Sequence, residues 1–111
     1  MLWTADLQAL PEFPGSAGRA VVEEDAQGNK TLVVDVSSAP RAEGSQEVWL
    51  IDRDVKQMRS LGYLTPVSNR FGIPADLDPR QFPVVDVSAE PPNDADTGHS
   101  GTSIVRGTLD V

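Results

Sequence analysis

The chain has 111 residues and no cysteine, and its 17 acidic and nine basic residues give a formal net charge of −8. This is the length of one domain, so we expect a single domain over residues 1–111. The absence of cysteine excludes disulfides, thiolate catalysis and cysteine-ligated zinc or iron–sulfur centres. The few basic residues are scattered. They do not form the cluster that phosphate binding needs, which argues against a nucleic-acid or anionic-membrane partner.

Proline and glycine, nine of each, divide the chain into short runs of alternating or β-branched residues, which is typical of β-strands. The predicted strands are Leu2–Leu10, Arg19–Glu24, Lys30–Ser37, Gln46–Asp52, Gln57–Thr65, Arg70–Ile73, Phe82–Ser88 and Thr102–Asp110. No window has the periodicity of an amphipathic helix, and Ala75–Gln81 alone could form a helical turn. We therefore predict an all-β, antiparallel, Ig-like β-sandwich of seven or eight strands with at most one short helical turn.

Two local predictions concern the strands around residues 25–52. The polar turn Asp25–Asn29 joins the second and third strands into a hairpin. The fourth strand, QEVWLID, is apolar on both faces, which predicts a central strand that is covered on both sides or that leaves one side to a partner. Its Trp49 fits a core position, and the alternative is a flat surface offered to a sugar or peptide.

Catalytic motifs are confined to one polar stretch near the C-terminus. His99, the only histidine, has Asp96, Ser100 and Ser103 near it, the residue types of a serine hydrolase. However, neighbouring residues cannot easily align for catalysis, and the nucleophile-elbow pattern is missing, so a turn fits better. Asp96-Thr97-Gly98 also matches the aspartic-protease triplet, but polar residues 90–95 precede it instead of a hydrophobic strand. We therefore predict no catalytic residue and a protein that is not an enzyme.

Three Asp-x-Asp pairs occur, at Asp52/Asp54, Asp76/Asp78 and Asp94/Asp96. Calcium takes six to eight oxygen ligands, so one pair supplies too few, and ordinary turns explain them better. We predict no metal and no other cofactor. The alternative function is a secreted or cell-surface adhesion or carbohydrate-binding β-sandwich whose loops pool their acidic residues around calcium.

Three stretches together resemble the C-terminal domain of the anti-sigma-K factor family. They are Gln46–Asp52 followed by Ser60–Leu64, then Val85–Pro92, then His99–Leu109, and residues 18–21 and 32–36 fit more loosely. The order and spacing of the stretches agree with the family. Two departures stand out: Gln46 or Glu47 lies where tyrosine is common, and residues 93–96 replace a glycine-rich link.

The resemblance implies one module of a membrane-anchored actinobacterial anti-sigma factor. In that family a cytoplasmic segment binds the sigma factor, one helix crosses the membrane, and the β-domain lies outside the cytoplasm. This chain would then be the extracytoplasmic sensory domain of a cell-membrane protein, which controls sigma-factor release and transcription through regulated proteolysis. Sigma-factor and membrane contacts would belong to segments absent from this chain, and the domain's own partner would be a protein or a cell-envelope ligand.

The family provides no catalytic residues to transfer to this chain. Five matching residues are therefore interpreted as structural or partner-contact positions: Trp49, Gly62, Glu90, His99 and Arg106. For Arg106 we predict an ion pair with Glu90 across neighbouring strands, one that stabilises the domain more than an exposed pair would.

Overall fold

The computed structural model describes residues 2–11, 15–37, 45–64, 69–90 and 103–111, and these contain eight β-strands and no helix. The strands are β1 (Trp3–Ala9), β2 (Ala17–Glu24), β3 (Lys30–Ser37), β4 (Ser45–Ile51), β5 (Met58–Leu64), β6 (Arg70–Ile73), β7 (Val84–Glu90) and β8 (Ser103–Thr108). All eight predicted strands are confirmed, and β3 and β6 have the predicted bounds.

No helix forms over residues 75–81, where the sequence allowed one helical turn. Two separate turns occupy this segment: the N–H of Leu77 donates to the carbonyl of Pro74, and the N–H groups of Gln81 and Phe82 both donate to the carbonyl of Asp78, the second with the spacing of a single helical turn. A proline at position 79 disfavours helical backbone at the residue before it, which explains why the two turns do not merge into a helix.

The eight strands form one antiparallel sheet in the order β5-β4-β7-β8-β1-β2-β3-β6. The predicted all-β antiparallel fold is confirmed, with the two layers of the expected sandwich joined as halves of one rolled sheet. Its two edge strands come close together. Across the seam between them, the Arg59 guanidinium of β5 lies 3.5 Å from the Asp76 carboxylate, just after β6. The roll thus closes through side chains at the seam.

Side chains on the inner face of the sheet form the main hydrophobic core. Its fully buried members come from both halves of the sheet and include Val22, Leu32, Val34, Leu50, Val85 and Ile104. A smaller apolar cluster of Trp49, Ile51 and Val84 lies on the outer face of β4 and β7. Strand β4 is therefore covered on both faces, which is the first of the two arrangements that its sequence predicted.

The β2–β3 hairpin has the predicted turn. The Asp25 carboxylate accepts hydrogen bonds from the backbone N–H groups of Gln27 and Asn29, each at 2.9 Å, and Gly28 takes the left-handed conformation with φ of +85°. From this turn the ladder runs from Glu24 opposite Lys30 to the far end of both strands.

The first and last strands, β1 and β8, are neighbours in the middle of the sheet. The N–H of Asp110 donates to the carbonyl of Thr4, and the N–H of Thr4 donates to the Asp110 carboxylate at 2.7 Å. The chain thus enters β1 and leaves β8 at the same end of the sheet. We call this end, which also carries the 25–29 turn and the 74–83 segment, the mouth of the roll.

Candidate functional site

A group of polar side chains lies on the outer face of β4, β7 and their neighbours. Glu47, Asp86 and Ser88 are each at most 5% exposed, although they alternate with side chains that point into the core. Strand pairing places Glu47 opposite Ser88 and Trp49 opposite Asp86. We call the connected set the outer polar cluster, and its members are Glu47, Trp49, Ser60, Asp86, Ser88, Ser103 and Arg106.

Asp86 is the acceptor at the centre of this cluster. Its Oδ2 accepts a hydrogen bond from Arg106 Nε at 2.8 Å and another from the Ser103 hydroxyl at 2.6 Å. The carboxylate is fully buried, whereas the Arg106 side chain is 34% exposed. Burying a carboxylate costs free energy unless the group is paired and hydrogen-bonded, so these two donors offset the cost of burying Asp86.

Trp49 and Glu47 extend the cluster along β4. The Trp49 indole N–H donates to the Ser88 hydroxyl at 2.9 Å, and the Ser60 hydroxyl donates to the Glu47 carboxylate. Trp49 is 4% exposed. Its interpretation as a core residue is confirmed, and the ring offers no flat surface to a sugar or peptide.

The predicted partner of Arg106 was wrong. The register of β7 and β8 sets Arg106 opposite Asp86, with a shift between Val87 and Ser88. Glu90 is four residues further along β7, about 13 Å away at the rise of a strand, where its backbone pairs with Ser45. Arg106 therefore stabilises a buried aspartate in the middle of the sheet.

Gly62 lies on β5 where this strand approaches β6. Its φ is +135°, and a Cβ at this position would lie 3.3 Å from two ring carbons of Phe71. The register of β4 and β5 also shifts beside it, between Val48 and Trp49. Glycine is thus required here by the backbone conformation and by the Phe71 ring that fills the seam.

The motifs considered for catalysis fall mostly outside the described residues. His99, Ser100 and the triplet Asp96–Gly98 all lie there. Ser103 is described, and its hydroxyl bonds to Asp86, which is paired with an arginine. The hydrogen bonds from Ser103 and Arg106 to the same carboxylate oxygen fix the position of the Ser103 hydroxyl in the outer polar cluster.

Two of the three Asp-x-Asp pairs lie at the mouth end of the sheet. Backbone N–H groups, chiefly that of Gln57 and next that of Lys56, lower the pKa of Asp52, and the backbone N–H of Arg80 lowers the pKa of Asp78. Within the described ranges no three histidine or acidic residues converge as a metal site needs. The third pair, Asp94/Asp96, lies outside those ranges.

Comparison with known families assigns the chain to a family. The family described as anti-sigma-K factor rskA, C-terminal, matches residues 3–103, from the start of β1 to the start of β8. The chain belongs to this anti-sigma-K factor family. No curated protein and no solved structure gave a significant match. The described part of this family member also holds no helix of the length and apolar character that a membrane crossing requires.

In this anti-sigma-K factor domain, sequence reasoning missed the buried Asp86. The segment VVDVS occurs twice, at residues 33–37 and 84–88. In β3 its aspartate, Asp35, is exposed and accepts a hydrogen bond from the Asn69 side chain at 2.9 Å. In β7 its aspartate is fully buried. The same pattern thus has two environments, and because Asp35 and Asp86 both lie between valines, their immediate neighbours in the sequence do not distinguish them.

Proposed function

We propose that this chain is the extracytoplasmic sensory and regulatory domain of a membrane-bound anti-sigma factor and that it controls sigma-factor release through regulated proteolysis. The observation that carries the proposal is the family match over residues 3–103. An anti-sigma regulatory role follows from that family. The extracytoplasmic location, the sensing and the proteolytic step are the parts that we propose.

The arrangement of polar groups supports a regulatory domain over an enzyme. The outer polar cluster pairs its buried carboxylate Asp86 with Arg106 and Ser103, so these groups stabilise the fold. A regulatory domain must keep one folded state until its signal arrives. A sheet whose strands are held together by buried hydrogen bonds and an ion pair meets this need. We therefore propose a non-catalytic role.

The alternative, a calcium-dependent adhesion or carbohydrate-binding domain, receives less support. Its calcium would need free carboxylate oxygens, whereas one oxygen of Asp52 already accepts N–H groups of Lys56 and Gln57, at 2.6 and 3.1 Å. Asp78 accepts the N–H of Arg80 at 2.9 Å. These carboxylates close turns of the fold.

The location is testable by cysteine labelling, because the chain has no cysteine of its own. Gln27→Cys places a thiol on the exposed β2–β3 turn, and Ala20→Cys places one in the core. In intact cells that express the full-length protein, a membrane-impermeant maleimide should label position 27. It should label position 20 only after denaturation. Labelling of position 27 only after lysis would overturn the extracytoplasmic location.

The regulatory role is testable with a reporter gene that depends on the cognate sigma factor. Val85→Asp puts a charge into the core and should unfold the domain, whereas Gln27→Ala changes an exposed turn residue. We expect the first variant to change reporter output and the lifetime of the intact anti-sigma factor on an immunoblot, and the second to change neither. Equal reporter output and lifetime in both variants would refute control by this domain.

A further inference from the structure

The inner face of the sheet changes character at the mouth. Along β2 and β3 the inward positions are buried and apolar at Val22 and Leu32, and the next inward pair is Glu24 opposite Lys30. Trp3 of β1 is paired with Val22 and thus has its side chain on this same face. The interior of the roll therefore ends in an aromatic ring and an ion pair.

The 74–83 segment supplies the opposite wall. Leu77 and Pro79 are buried, whereas Asp78 and Arg80 of the same segment are more accessible. Between this segment and Trp3 lies an open cleft of about 450 Å³. Small-molecule sites typically measure about 300–1,000 Å³ and favour the mouths of rolled sheets. The cleft has both the size and the place of a ligand site.

Two ion pairs line this cleft and balance its charge. Lys30 Nζ lies 3.3 Å from the Glu24 carboxylate, and Arg80 Nε lies 3.3 Å from that of Asp78. The two pairs are near each other. The pKa of Asp78 is lowered mainly by the backbone N–H and side chain of Arg80, and the positive charge of Lys30 lowers it further. An anion would meet two carboxylates here, and a cation would meet two basic groups. A neutral ligand rich in hydroxyls meets no such repulsion, because each hydroxyl both donates and accepts.

We infer that the mouth cleft binds a neutral saccharide. A pyranose ring has an apolar C–H face, for which Trp3 offers an aromatic surface, and hydroxyls around its edge, for which the two ion pairs offer donors and acceptors. The role of such a ligand as the signal of the sensory domain rests on the proposed function. Its binding to the 111-residue chain does not depend on that function.

The first test is an NMR titration of the chain with two-ring saccharides of different charge. The neutral probes are N,N′-diacetylchitobiose, cellobiose and maltose, chitobiose is the cationic probe, and digalacturonate is the anionic probe. We expect saturable shifts of the Trp3 indole and Arg80 N–H signals with at least one neutral probe and weaker effects with both charged probes. No saturable shift with any neutral probe, or stronger binding of a charged one, would overturn the inference.

The second test uses two arginine variants with the neutral probe that binds best. Arg80→Ala removes a cleft donor whose side chain is 71% exposed, so the fold should be kept. Arg19→Ala removes an exposed arginine of β2 that does not line the cleft. We expect Arg80→Ala to weaken binding about fivefold, as for one lost hydrogen bond, and Arg19→Ala to leave it unchanged. Equal affinities would place the ligand elsewhere. Cysteine labelling and reporter output test the proposed function, whereas the titrations test saccharide binding. Failure of one proposal can therefore be distinguished from failure of the other.

Discussion

Asp86 and Arg106 face each other across β7 and β8, where a fully buried aspartate side chain lies 2.8 Å from Nε of an arginine side chain that is partly exposed. The contact is asymmetric. Arginine can extend its charged group to water, whereas the aspartate depends on its donors inside the protein.

The first prediction concerns this pair. Arg106→Ala removes the main counter-charge of a buried carboxylate, so the free energy of unfolding should fall by about 3 kcal/mol, the lower end for a broken buried pair. The control is Arg70→Ala, which breaks the exposed ion pair with Glu23 and should cost about 0–1 kcal/mol. Urea unfolding measures both. Similar losses in the two variants would show that Arg106 does not stabilise Asp86 specially.

The second prediction concerns Gly62. Gly62→Ala forces a side chain into a φ of +135° beside the Phe71 ring, and it should cost roughly 1–3 kcal/mol. Gly72→Ala on β6 is the matched control, because a Cβ there meets nothing within 4 Å. Its stability should stay within about 0.5 kcal/mol of the parent. Thermal unfolding measures the stability of both variants. Equal melting temperatures for Gly62→Ala and Gly72→Ala would contradict the geometry described for the seam.

The third prediction separates the two tryptophans. Trp49 is almost fully buried, whereas Trp3 is half-buried at the mouth cleft. Trp3→Phe leaves Trp49 as the only indole, and Trp49→Phe leaves Trp3. Acrylamide should quench fluorescence more in the variant that retains Trp3, and the emission of the variant that retains Trp49 should lie at shorter wavelength. The reverse order would place Trp49 at the surface.

The fourth prediction concerns pH. Backbone N–H groups of Gln57 and Lys56 lower the pKa of Asp52 in the folded protein below its ordinary value of 3.8. A lowered folded-state pKa stabilises the protein above the ordinary value, and this stabilisation is lost as the pH falls through the folded-state pKa. When the pH is lowered from 5 to roughly 2, the melting temperature of Asp52→Asn should therefore fall by less than that of the parent.

Asp54→Asn removes the same charge two residues away and is the control for Asp52→Asn. It should keep the parent's acid dependence. If both variants showed the same change in slope, net charge would explain the effect and the turn hydrogen bonds would not.

The fifth prediction concerns calcium. Because Asp52 and Asp78 already bond to backbone N–H groups, calcium should not raise the melting temperature of the chain. A site filled at 100 times its dissociation constant would stabilise the fold by about 2.7 kcal/mol, which calorimetry resolves easily. A saturable rise would favour the calcium-dependent alternative.

Strand positions could be predicted from the sequence because each short run carried its own pattern. Leu32 and Val34 alternate with Thr31 and Val33, and the structure buries the first pair deeply. The pairing of distant strands could not be predicted in this way. Residues 91–102 separate β7 from β8, a connection too long for its length to fix the register of the two strands. No local pattern therefore indicated that Arg106 faces Asp86 and that Glu90 lies further along β7.

The candidate sites were harder to predict for a related reason. Alternation shows which residues share a face of a strand, but it does not show whether the outer face is covered. Asp35 and Asp86 occupy equivalent places in the same five-residue pattern and differ only in that covering. The mouth cleft likewise depends on where the roll places Trp3, Lys30 and the 74–83 segment, which no single stretch of sequence contains.

The central position of β1 and β8 affects how the domain would be dismantled. Both edge strands, β5 and β6, come from the interior of the chain, and β1 and β8 each have a hydrogen-bonded neighbour on both sides. An unfoldase that pulls on β1 or β8 must break two ladders at once, because it cannot peel an edge strand. Forced unfolding depends on the unfolding rate, so a pull on either strand would meet the resistance of two neighbouring strands from its first step.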